Sequence, residues 1–124
     1  MYRDKDLLEL AKGEKCLLQA HSRCYGDHGE TTVACHSNLL IHGKGKSLKA
    51  EDCYTVWGCY MCHKWLDTSQ AGYEEKEKAF EEAFVRQLHE WADIAYSPTM
   101  RPWKVEAARR VLAYLGDENG KDRR

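Results

Sequence analysis

The chain has 124 residues, 31% of them charged, with a formal net charge of −1. That length suits one domain, the balanced charge gives no overall basic signature for nucleic acid, and no apolar run approaches the roughly 20 residues that cross a bilayer. The opening MYRDKDLLELAKGEK is charged throughout and lacks the apolar core of a secretory signal, so a cytoplasmic location is expected. In a reducing compartment, six cysteines point to a bound metal rather than a disulfide framework.

In chain order, Leu7, Leu8, Leu10 and Ala11 predict a short helix that ends at Gly13. CLLQAHSRC follows, with Cys16 and Cys24 flanking it. TTVACH (31–36) and CYTVW (53–57) are β-branched and aromatic runs, read as the strands of one hairpin. Between them SNLLIHGKGKSLKAED makes a long Gly- and Lys-rich loop. After the second strand, CYMCHKWLD (59–67) turns into a helix. Residues 73–96 repeat Phe80, Phe84, Leu88, Trp91 and Ala95 at helical spacing. Glu74, Glu75, Glu77, Glu81, Glu82 and Glu90 are assigned to the solvated face. Ser97-Pro98 breaks that helix, and another starts near Pro102, lines up Val105, Ala108, Leu112 and Leu115, and is expected to stop at Gly116. The expected organisation is a core over 1–72, helices over 73–116 packed on the same domain, and a disordered tail over 117–124.

All six cysteines and five of the six histidines lie before residue 72. Cys59 and Cys62, separated by a two-residue gap, fit a tight turn that presents both sulfurs to one ion. Cys16 and Cys24 supply the second pair, and zinc favours such a closed tetrahedron with Zn–S near about 2.3 Å. His21 or His28 in place of one thiolate is an alternative, as is a solvent-facing loop position for each. Cys35 and Cys53 read as buried thiols.

Residues four apart share a helix side, so His63 and Asp67 point together. An imidazole and a carboxylate with open positions suit a hydrolytic divalent metal. Hairpin geometry brings His36 towards that pair, where it suits a general base, and Asp52 is placed to hold its far nitrogen. The same residues also read as a packed strand histidine and a hydrogen bond on the helix surface. His42, Lys44 and Lys46 in HGKGKS read either as contacts to a nucleic-acid backbone or as a flexible connector. The P-loop spacing is absent.

Knuckle cysteines, a strand ending in His36, a second strand and then CYMCHKWLD resemble the ββα-metal arrangement of HNH nucleases. CLLQAHSRCYGDHGETTVACHSN, the HGKGKSLKAED loop and WGCYMCHKWLD with its long helix resemble more closely the YbcO-like nuclease family of phages and prophages of enteric bacteria, over about residues 10–92. The resemblance implies an α+β, HNH/treble-clef-like fold with additional C-terminal helices. It implies structural zinc on Cys16, Cys24, Cys59 and Cys62, and a catalytic cluster of His36, His63 and Asp67 using Mg or Mn on DNA. Asp52 falls near the place of the motif's central asparagine. The sequence departs from the HNH pattern in Cys35 before the histidine, in Asp52 at that asparagine position, and in a helix motif that ends on Asp67. Two other readings keep the zinc: a non-catalytic module that binds nucleic acid or a protein, and a structural protein that dimerises through its C-terminal helices.

Overall fold

The computed structural model describes residues 1–39, 42, 43, 49–68 and 70–122. Its order is α1 (Lys5–Glu9), β1 (Val33–His36), β2 (Thr55–Gly58), α2 (Tyr60–Thr68), α3 (Tyr73–Ala95) and α4 (Pro102–Asp122). Helix α1 starts because Asp4, in extended backbone, accepts the Leu7 N–H at 3.2 Å and satisfies one orphan donor of the first turn. Turns carry the chain on to Gly13, whose φ of +78° takes it away from the helix.

The strands form an antiparallel pair with Val33 opposite Gly58 and His36 opposite Thr55. Every residue of β2 is buried, because α3 and α2 both pack on it. Gln87 from α3 reaches into this layer and accepts the Trp57 N–H at 2.8 Å.

Two apolar clusters build the interior. One gathers Leu7, Leu10, Trp57, Trp91, Ile94, Ala108 and Val111, joining α1, β2, α3 and α4. The other gathers Cys16, Leu18, Cys35, Val56, Cys59, Cys62, Leu66 and Phe80 around the knuckle and α2. Phe84 packs against both, so the helical half and the cysteine-rich half share one interior.

Of the stripe on α3, Phe80, Trp91 and Ala95 are buried, Phe84 and Leu88 are partly buried, and Ala83, Gln87 and Ile94 join the buried face. Two arginines of α4 are tied within the molecule: Arg109 donates to the Ala95 carbonyl at the end of α3, and Arg110 binds Asp4. Helix α4 runs to Asp122, past the stop expected at Gly116 and into the stretch expected to be a tail. Gly116 does not take the left-handed backbone that would end a helix. A glycine inside a helix costs only about 1 kcal/mol, too little to terminate it alone. No helix among the described residues is long and apolar enough to cross a membrane.

Candidate active site and metal centre

Cys16 and Cys24 come from the loop before β1. Cys59 sits between β2 and α2, and Cys62 lies in the first turn of α2. Their sulfurs all lie within 4.8 Å of one another, and Cys24 Sγ and Cys59 Sγ are 3.9 Å apart. That edge is close to the roughly 3.8 Å of a tetrahedron with metal–sulfur bonds of about 2.3 Å. Backbone donors surround the cluster. The N–H groups of Ala20 and His21 point at Cys62 Sγ at 3.3 and 3.4 Å, that of Tyr25 at Cys59 Sγ at 3.4 Å, and that of Gly26 at Cys24 Sγ at 3.4 Å.

Such donors stabilise thiolate charge, and four thiols this close cannot all ionise without a cation between them. The hydrogen bond from Cys62 draws Cys16 down to about 4, while the same contact and burial push Cys62 up. The donor set therefore fits a closed tetrahedral ion such as zinc, with no position left for a reactant. No disulfide joins any of the six cysteines. The His21 ring accepts the Arg23 N–H at Nδ1, so its side chain serves the loop while its backbone N–H serves the cluster.

Cys35 and His36 are neighbours on β1 and face opposite ways, as strand geometry requires. Cys35 is fully buried, its Sγ directed at the Gly58 carbonyl at 3.8 Å, and burial raises its thiol well above the ordinary range. It is a core residue. His36 turns to Asp52: Nε2 and Oδ1 are 2.8 Å apart. Asp52 is 3% exposed and also accepts from Arg3 Nη1 at 3.2 Å and the Asp4 N–H at 2.8 Å. Burial works to raise its carboxyl, but these donors hold it below the usual carboxylate value.

On α2, His63 Nε2 and Asp67 Oδ2 lie 3.0 Å apart, both about two-fifths exposed. His36, Asn38, Lys49, His63 and Asp67 line one cleft of about 390 Å³. The fold thus brings His36 to the His63–Asp67 pair and puts Asp52 behind it. Asn38 donates to the Leu66 carbonyl at 3.3 Å, tying the hairpin loop to α2. Sequence reasoning missed Asn38 and Lys49, because neither belongs to a spacing that predicts a site.

A larger cleft of about 840 Å³ runs along Lys12 and Asp27–Val33. Among the described residues only the four cysteines gather three or more metal-ligating side chains close enough to share an ion, and none of them lines this cleft.

His42, expected to face nucleic acid, is half-buried: its Nδ1 is 2.6 Å from Ser37 Oγ, and its ring stacks on Tyr54 with centroids 4.0 Å apart. Burial lowers its affinity for a proton. Lys44 and Lys46 lie outside the described residues. On the same helix Leu66 is buried and Trp65 only partly so.

These features define a small α+β domain with a four-cysteine metal knuckle beside a histidine- and carboxylate-lined cleft. The chain belongs to the family described as "Putative nuclease YbcO", whose model matches residues 5–96. No curated protein and no solved structure matches it.

Proposed function

We propose that the protein is a metal-dependent endonuclease of the HNH-like ββα-metal type, hydrolysing DNA phosphodiester bonds in a phage or prophage setting. One observation carries the reading: His36, backed by the buried Asp52, lines the same cleft as the His63–Asp67 pair. The carboxylate of Asp52 favours the His36 tautomer with its proton on Nε2, leaving Nδ1 as the nitrogen that accepts a proton. His36 takes a proton from a water as its oxygen attacks phosphorus, and the bond from phosphorus to the leaving sugar oxygen breaks. His63 and Asp67 would hold Mg²⁺ or Mn²⁺, which when bound supplies charge stabilisation to the leaving oxygen. Two protein ligands suffice for such an ion, since it keeps waters and takes substrate oxygens. Zinc on the four cysteines would fix the end of β2 to α2 and so hold His63 and Asp67 near His36. Lys44 and Lys46 extend the proposal as phosphate contacts, whereas His42, stacked on Tyr54, anchors the base of their loop.

The absence of a third clustered ligand among the described residues of the cleft favours the second reading, a non-catalytic zinc module that binds nucleic acid or protein. Incubation of the purified protein with supercoiled plasmid and Mg²⁺ or Mn²⁺ separates the two. The nuclease reading expects nicking that disappears in His36→Ala while zinc content and fold persist. Equal nicking by wild type and His36→Ala would remove His36 from the chemistry, and no nicking by either would favour the binding module.

A further inference from the structure

We infer that Lys49 is the side chain through which the cleft grips a nucleic-acid phosphate, an inference that rests on the nuclease reading for its substrate class. The described residues lining this cleft offer two imidazoles, an amide, a carboxylate and one ammonium, that of Lys49. A polyanionic backbone brought to His36 shares the cleft with the Asp67 carboxylate, so a fixed positive charge there favours its reception. Lys49 supplies one.

Its side chain is exposed, and no carboxylate among the described residues pairs with it. Its main chain, by contrast, is fastened. Arg3 donates through Nη2 to the Lys49 carbonyl at 3.1 Å and through Nη1 to the Ala50 carbonyl at 2.6 Å. The same Nη1 reaches Asp52 Oδ1, the oxygen that meets His36. One guanidinium therefore holds both the backbone that carries the ammonium and the carboxylate behind the imidazole. Ala50 is fully buried, and the Asp52 N–H donates to the Tyr2 carbonyl at 2.9 Å, so the segment that follows Lys49 is pinned. A lysine on an anchored backbone loses less freedom on meeting a phosphate than one on a free loop.

An ammonium contacting one phosphate acts through charge alone and carries no sequence preference. The test uses the full-length, zinc-loaded protein and short fluorescent duplexes of unrelated sequence. Anisotropy is followed between about 50 and 200 mM salt with no catalytic metal added. Lys49→Met should weaken binding roughly five- to tenfold for every duplex and reduce the steepness of the log affinity–log salt line by about 1. Lys49→Arg should restore the slope, and Lys12→Met, at a lysine outside this cleft, should change neither quantity.

Equal affinity and equal salt slope for Lys49→Met and wild type would overturn the inference, as would failure of the wild type to bind any duplex. Plasmid nicking keeps the two claims apart. His36-dependent nicking with unchanged binding by Lys49→Met sinks Lys49 and leaves the nuclease. A reduced slope without His36-dependent nicking keeps the phosphate contact and sinks the hydrolytic reading.

Discussion

His36 Nε2 lies 2.8 Å from Asp52 Oδ1, and the carboxylate that makes this contact is almost wholly enclosed. The arrangement couples the two strands to the N-terminal segment, because Asp52 also receives the Asp4 N–H and Arg3. Its folded carboxyl titrates below its unfolded value. The unfolded chain therefore binds more protons between the two values, and stability rises with pH across that window. The contribution is fully present above about pH 4 and is lost as pH falls through the lowered folded value. Asp52→Asn should cost about 1–3 kcal/mol at neutral pH, since it leaves charged and buried partners short of an acceptor. Urea unfolding from neutral pH to strongly acid pH should show a shallower acid slope in the variant. An unchanged slope would mean that Asp52 does not hold its charge in the way described.

Gly58 presents a different constraint. A Cβ built there would stand 2.6 Å from Cys35 Sγ. Gly58→Ala should therefore destabilise the protein by about 1–3 kcal/mol through overpacking. Adding Cys35→Ala removes the obstructing sulfur, and the double variant should recover much of the loss in a thermal or urea cycle. Gly29 offers no such relief, because its Cβ would meet the Gly13 carbonyl oxygen at 2.5 Å with φ at +43°. Gly29→Ala should be the more damaging change, with no single side-chain deletion restoring it.

Gln87 is fully buried on the helix stripe and spends its oxygen on the Trp57 N–H. Gln87→Leu keeps the volume close and removes the acceptor. The orphaned strand N–H should cost about 1–3 kcal/mol, read as a lower urea midpoint with unchanged m-value. Stability equal to wild type would show that this bond contributes nothing net.

The cysteine cluster predicts one tightly held metal per chain by elemental analysis, with zinc the expected ion. Cys62→Ser should lose it and melt at least about 10 °C lower, because metal affinity at such a site is folding free energy. Stoichiometric zinc in Cys62→Ser, at the wild-type melting temperature, would exclude the four-sulfur site.

The helix face of His63 and Asp67, the hairpin strands and the Cys59–Cys62 pair were readable from the sequence because each follows a fixed spacing: four on a helix, two on a strand, a two-residue gap in a tight turn. The His36–Asp52 contact was readable because strand pairing puts the end of β1 beside the segment before β2. Lys49, Asn38 and Arg3 were not, since their positions depend on how a long loop and the N-terminal segment fold back, which no periodicity encodes. Gln87 hid inside an apolar stripe because its side-chain oxygen serves a strand N–H 30 residues away in sequence. The contacts of His42 with Ser37 and Tyr54 were not readable either, because its neighbours GKGKS draw the eye to phosphate and no spacing links it to those two residues.

The most direct test of the two-centre account is Mn²⁺ titration of the zinc-loaded protein, followed by paramagnetic broadening of side-chain resonances alongside the plasmid nicking rate. The account predicts a weak second ion that broadens His63 first, is lost in Asp67→Ala, and saturates over the concentrations that switch on nicking. Zinc on the cysteines with no Mn²⁺ near His63, or nicking that persists undiminished in Asp67→Ala, would contradict it.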